Sequence, residues 1–339
     1  MKKKSLNLAL ASVFAIAIAF LLLGFKPAPQ SDYLLVVNKS DSTLTIIDAA
    51  THEVKATVPT GQGPHEVSAS PNGRYAYVSN YIGTREDRGH TITVIDLDNF
   101  KALDPIELLP NRAPHGSLVS SDGKWLWVTT EVSQTVNKVD LSSGKLVASI
   151  PTAPLGTHMI VLCEPKGKSY STSIQTGKVA VVDIKTGKLI KQVDSASGSE
   201  GIAITPDFRY VLVSNREAGS VSVIDTSADE VIKKIEVGNY PIRVKVATDG
   251  KHAYVSNMKA NEIAELDTKT WEVTRRLPVG EAPVGILLAP DGNTAYVADT
   301  GSNKVAIIDL KAWKVSGELS AGREPDGMAY ARRSGKRGQ

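Results

Sequence analysis

The sequence predicts an all-β chain: a seven-bladed β-propeller of four-stranded blades, closed by pairing a C-terminal inner strand with three N-terminal strands. A strand ending in aspartate recurs seven times, as TIID at Asp48, TVID at Asp96, NKVD at Asp140, AVVD at Asp183, SVID at Asp225, AELD at Asp267 and AIID at Asp309. The successive spacings are 48, 44, 43, 42, 42 and 42 residues. That period is the length of a propeller blade, and several copies in series make an array. Each unit holds four short strand-like runs bounded by turn residues, and the array both starts and stops in mid-blade.

The leader comes first. Lys2, Lys3 and Lys4 precede an uncharged apolar run from Leu6 to Phe25, the pattern of an export signal. Lys26-Pro27-Ala28-Pro29 offers no small-x-small cleavage site. The run also has the roughly 20 residues needed to span a bilayer. Residues 1–30 are therefore read as a signal peptide or an uncleaved membrane anchor, and the membrane enters only through that anchor. Either places the body, 31–331, in the periplasm or outside the cell. The tail, 332–339, is basic and glycine-containing and is predicted to be disordered.

Charge and cysteine content narrow the classes. The chain has 39 basic and 36 acidic residues, but eight bases and no acids lie in the leader and tail. The body keeps 31 basic against 36 acidic residues, a net charge of −5, which excludes a nucleic-acid surface. Cys163 is the only cysteine, so no internal disulfide forms. A chain this long buries enough apolar surface to do without one, and a closed propeller is stable as a monomer.

Within the body the first copy begins at a second-type strand, Tyr33 to Asn38, and its missing inner strand is supplied by Asp326 to Tyr330. The fifth copy shows the complete unit: Glu200 to Thr205, Arg209 to Asn215, Ser220 to Asp225 and Glu230 to Val237. Turns such as SPNG at Ser70, SSDG at Ser120 and APDG at Ala289 join the first two strands. Glycine there supplies the positive φ of a tight hairpin. Closing the ring shields the edges an open sheet would expose.

The strings YVSN at Tyr77 and Tyr254 and YVAD at Tyr296, with the paired VID and PDG motifs, resemble the YVTN-repeat propellers over roughly Tyr33 to Ala331. The resemblance implies an exported propeller, and that family includes surface-layer and periplasmic proteins. It also implies kinship in fold with lactonase-type and haem d1-type propellers, but a shared fold does not carry chemistry with it.

Functional candidates come from where the repeat breaks. The starts of the first strands converge on the channel mouth at one face, the top. Aligned there are His65, His115, His158 and Glu200, then Ile242, Val284 and Asp326; the next offset adds Glu66 and Arg243. The residues following the second strands are Lys39, Tyr81, Glu131, Ile174, Arg216, Met258 and Thr300. One sector is polar and the other more apolar, an asymmetry that a structural repeat does not require. An insertion, Tyr81 to His90, extends a loop over the same face as a candidate lid.

Three imidazoles on adjacent strands are a candidate ligand set for zinc, iron or copper, with a position left for water or substrate. Glu131 and Glu200 are candidate general bases or ligand-orienting acceptors. Glu66, Tyr81, Arg216 and Arg243 are candidate ligand contacts, because a guanidinium fork matches a carboxylate or phosphate. Together they suggest a small anionic or lactone-like ligand. The alternatives are a metal-assisted lactonase, other hydrolase or oxidoreductase, and an interaction scaffold or cell-surface protein. GxSxG, HExxH, P-loop, CxxC and CxxCH motifs are all missing from the chain, which removes the usual signatures of those sites.

Overall fold

The computed structural model describes residues 31–83, 88–152 and 155–333. The leader, the tip of the inserted loop at 84–87 and the tail from 334 lie outside the described residues, and so do the signal-or-anchor and lid readings that rest on them.

Short runs between turn residues form 29 strands among the described residues, all but two of them six or seven residues long, arranged as seven antiparallel sheets around a central channel. In the first blade Pro325–Ala331 pairs with Tyr33–Asn38, in the register Tyr33 to Ala331 and Val36 to Met328. Thr43–Asp48 and Val54–Pro59 complete that blade. The ring is thus closed as the sequence predicts.

Burial follows the strand's place in the blade. The second strands, such as Tyr33–Asn38 and Tyr210–Asn215, are almost wholly buried. The outermost strands, such as Val54–Pro59, are mostly exposed. The core therefore lies between blades: Leu35, Val37 and Ile46 of the first pack with Val67, Val78 and Ile95 of the second.

The repeated polar residues each have a mechanical task. All seven VID aspartates accept backbone N–H groups of the following turn, as Asp48 Oδ1 does from Ala50 and Thr51 at 2.9 Å. This is the Asx turn that makes aspartate preferable there. In the third to sixth blades the Ser or Thr at the YVSN serine position stitches blades together. Thr172 Oγ1 accepts from the Met159 N–H at 3.0 Å and donates to the Glu200 carbonyl at 2.7 Å; Ser214 does the same for Gly201 and Ile242. Where glycine follows the aligned top position, the next blade comes very close. A Cβ on Gly201 would lie 2.4 Å from the Ile242 carbonyl oxygen, and one on Gly327 would lie 2.4 Å from that of His65.

Two details differ from the sequence reading. The outermost strand of the second blade is broken into Lys101–Ala102 and Ile106–Glu107. Pro105 lies in the break, where it cannot donate to a ladder and restricts the residue before it. The ordered body also runs on to Arg333. Its backbone N–H donates to Asp32 at 2.7 Å, and its buried guanidinium bonds the Leu97 carbonyl and Asp98.

Candidate functional site

Among the aligned top positions, those of the polar sector meet in a cavity of about 480 Å³ at the channel mouth. His65, Tyr81, His115, Glu131, His158, Glu200, Arg216 and Arg243 all line it. Glu66 lies just beneath, buried against Arg243. The hydroxyl stitching described above holds this arrangement, since it fixes the backbone carbonyls of His158, Glu200, Ile242 and Val284 themselves.

The site is a continuous charge network. His158 sits between two carboxylates, with Nδ1 3.2 Å from Glu131 and Nε2 2.7 Å from Glu200. Glu200 also accepts from Arg216 at 2.9 Å and from Arg243 at 3.3 Å. Arg243 reaches across the channel to Glu66, 177 positions away in the chain, and lies 4.0 Å from Asp326. Lys39 pairs with the other oxygen of Asp326 at 3.4 Å.

Protonation follows from these contacts. Burial works to lower the pKa of His158, but Glu200 and Glu131 outweigh it and raise it to about 9, so the ring is an imidazolium at neutral pH. Burial likewise works against ionised Glu200, but His158, Arg243 and Arg216 bring it down to about 2. A carboxylate held that low is a weak general base; it positions its three partners. Glu131 is also held below its ordinary value by His158 and Tyr81, against the effect of burial. Burial, aided by the Glu131 carboxylate, pushes the Tyr81 phenol up to about 12.

The other two imidazoles behave differently. Burial lowers His65 and takes His115 well below its ordinary value, so both are neutral at pH 7. His65 Nδ1 donates to the Gly63 carbonyl at 2.8 Å, which leaves Nε2 as an acceptor. The Nδ1 of His115 is buried without a hydrogen-bond partner. The three rings run in a row, with centroids 4.9 Å apart from His65 to His115 and 3.7 Å from His115 to His158. Tyr81 closes the row, 4.5 Å from His65. His158 has both nitrogens engaged by carboxylates. Among the described residues no group of three or more His, Cys, Asp and Glu side chains is disposed to hold a metal ion.

Solvent meets Lys39, Arg216 and the carboxylates Glu131 and Glu217, and Glu217 accepts from Arg216 Nε at 2.7 Å. The Lys39 and Arg216 side chains are 26% and 27% exposed, whereas those of Glu200 and Asp326 are only 7% and 4% exposed. Ile174, Ile242, Met258 and Val284 form the apolar part of the wall. Gln175 and Tyr240 also line the mouth and were missed by sequence alignment, since each lies one or two places off the aligned offsets. The positive φ of Tyr240, 63°, marks the turn that carries it. Lys39 and Asp326 sit at aligned offsets, and their opposite charges were the signal that could have added them to the candidate set. Cys163 is buried at the end of its strand, its thiol raised by burial; it is away from this site.

The fold and mouth together define a propeller with a polar cavity at the top of its channel. Comparison with known proteins places it more closely. The family described as Cytochrome D1 heme domain matches residues 171–309. YncE of Salmonella typhi is 25% identical over 195 residues, covering 56% of this chain and 52% of that protein. Dihydro-heme d1 dehydrogenase of Pseudomonas aeruginosa is 26% identical over 204 residues, covering 57% of this chain and 40% of that one. The chain thus spans about half the length of the curated relatives it matches, or somewhat less. Among solved structures, Kuenenia stuttgartiensis hydrazine synthase superposes with a TM-score of 0.71 at 22% identity, covering 82% of this chain and 92% of that one. Dihydro-heme d1 dehydrogenase NirN gives a TM-score of 0.64 at 19% identity, over 88% of this chain and 66% of that one. The protein is a seven-bladed propeller related to the YVTN-type protein YncE and to the cytochrome d1 heme-domain propellers. The heme-domain match begins after His65, His115 and His158, so it covers the scaffold and not the histidine row.

Proposed function

We propose that the protein is exported and binds a small anionic ligand bearing hydrogen-bond donors at the top of its channel. The observation that carries this is the sorting of charge by depth. Glu200 and Asp326 are buried and hold cations in place, while Lys39 and Arg216 reach the water, Arg216 with Glu217 beside it at the rim. Pre-set cations over a concave polar pocket favour an anion. The neutral rings of His65 and His115 supply acceptors for a ligand hydroxyl, and the apolar wall excludes water from its other face.

The relatives' names add one particular candidate of this class, a heme, whose edge carries carboxylates. His65 or His115 would hold its iron through a neutral ring nitrogen, and Lys39 and Arg216 would meet its carboxylates. Bound there, the iron would supply redox or ligand-binding chemistry, and this chain's residues would bind and orient the ring. The test is calorimetric titration of the purified protein with glycolate, malate and citrate, and spectroscopic titration with ferric heme. Binding of one of these that is lost in Lys39→Ala/Arg216→Ala supports the reading. No binding by any, or binding indifferent to those cations, overturns it. A metal bound by the histidines alone would appear as stoichiometric zinc, iron or copper by elemental analysis, lost in His65→Ala/His115→Ala.

A further inference from the structure

Each blade has a residue in the left-handed region four positions after its capping aspartate. In five blades the side chain there reaches an aromatic of the preceding blade. Phe100 meets Tyr33 edge-on at 5.6 Å, Trp271 meets Tyr210 at 5.3 Å, Trp313 lies 6.2 Å from Tyr254 and His52 lies 6.2 Å from Tyr296. Asp229 accepts the Tyr170 hydroxyl. The second and third blades receive no such plug, because the blades after them carry Gly144 and Gly187 at this position.

The third blade covers its own aromatics. Lys138 lies over both indoles, 3.8 Å from Trp125 and 5.3 Å from Trp127. In the second blade the residue opposite Tyr77 is Val94 where the third blade has Lys138 opposite Trp127. The break at Pro105 also leaves Thr93 and Val94 without a paired residue in the outermost strand, although the Val94 carbonyl still accepts from the Leu103 N–H at 2.8 Å. The result is a groove made of two adjoining cavities of about 620 and 700 Å³, which share Tyr75, Tyr77 and Leu141. Trp125 lines one, Gly144 the other, and Leu103 stands 43% exposed at the rim.

We propose that this groove receives an aromatic side chain presented by an extended peptide segment of a partner protein. The sibling blades show the chemistry of the occupant. Tyr210 has the Arg209 guanidinium 4.9 Å from its ring centroid and Trp271 at its edge. Tyr75 has Arg74 at 5.1 Å and only Gly144 where Trp271 would stand. An aromatic at that place gains edge-to-face contact with a ring already held in position. An extended segment fits because the two cavities adjoin beside the broken outermost strand and leave room for chain on either side of the ring, which is held by the pocket and not by ladder bonds, since Leu103 already takes the Val94 carbonyl.

The test uses the full body and two blocked peptides, acetyl-Gly-Trp-Gly-amide and acetyl-Gly-Leu-Gly-amide, followed by backbone amide shifts. Gly144→Trp installs the plug of the sibling blades, whose own tryptophans hold φ of 59° and 53° against 66° at Gly144. Val94→Lys copies the cover of the third blade and serves if the first variant does not fold. Gly144→Ala leaves the groove open, since its Cβ would lie 3.9 Å from Ile106. The tryptophan peptide is expected to shift Tyr75, Leu141 and Gly144 saturably in the wild type and to shift the groove likewise in Gly144→Ala. The shifts should disappear in Gly144→Trp or Val94→Lys. Equal binding of the leucine peptide, binding that survives both covering variants, or no saturable shift overturns the proposal. So does free indole binding as tightly as the peptide, which would assign the groove to a small aromatic molecule.

Discussion

The polar and apolar sectors of the channel mouth are built on the same strands by the same hydroxyl stitching, yet they are stabilised by different physics. In the fourth and fifth blades the top positions hold His158 and Glu200, buried and linked through four charge-assisted contacts. In the sixth and seventh they hold Ile242 and Val284, which need only packing. A repeat protein asks for one solution repeated, as the seven identical aspartate turns show. The polar sector departs from that, and a buried ionic network contributes little net stability relative to an apolar replacement. That asymmetry is what the proposed ligand site rests on.

Removing a charged hub should separate the sectors most strongly. Glu200→Ala leaves His158, Arg216 and Arg243 short of their shared acceptor, and its expected cost is about 3–5 kcal/mol in urea unfolding. Ile242→Val, the matched change on the apolar side, should cost about 1 kcal/mol. Equal costs would mean that the network is mostly solvated.

The apolar sector has one flaw of its own. Asp299 stands where four of the other blades carry the YVSN asparagine. One of its oxygens accepts from the Gly280 N–H at 3.1 Å, and the other is buried without a partner. Burial raises its pKa to about 7, against that hydrogen bond. The folded state therefore holds a proton that the unfolded chain has released, and stability present below pH 4 declines as pH rises through about 7. Asp299→Asn should stabilise the protein by about 1–3 kcal/mol at pH 8, with the gain shrinking towards pH 4. A gain independent of pH would refute the titration.

His158 gives the corresponding test on the polar side. Its raised pKa means that its contribution is complete below the unfolded value of roughly 6.5 and is lost as pH rises through about 9. His158→Gln should flatten the decline in melting temperature between pH 7 and 10, and an unchanged slope would show that His158 does not titrate there. His65 and His115 act in the opposite direction. With lowered folded pKa values they reduce stability as pH falls below about 6.5, so the acid limb should be shallower in His115→Gln.

The fold was legible because its determinants are local and repeated. The VID aspartates, the glycine turns and the YVSN hydroxyls each perform a contact that needs only nearby backbone or the next blade. The top positions were legible by alignment alone, since a propeller brings equivalent offsets to one mouth. What alignment does not carry is direction and pairing. His65, His115 and His158 share an offset, yet their rings lie in a tilted row and two of them stay neutral while the third is charged. The pairing of Glu66 with Arg243 crosses the channel between blades that are not neighbours, and no local pattern encodes it. The groove of the second blade was readable in principle. Gly144 and Gly187 occupy the place of His52, Phe100, Asp229, Trp271 and Trp313, but that offset has meaning only once the plug contact is seen.

The measurement that bears most directly on the central claim is titration of the mouth with malate, citrate and ferric heme in the wild type and in Lys39→Ala/Arg216→Ala. Binding by one of them, weakened at least about tenfold in the double variant and more so at low salt, is the predicted result. Binding that is unaltered in the double variant, or that is absent for every probe, would contradict a ligand site at the top of the channel.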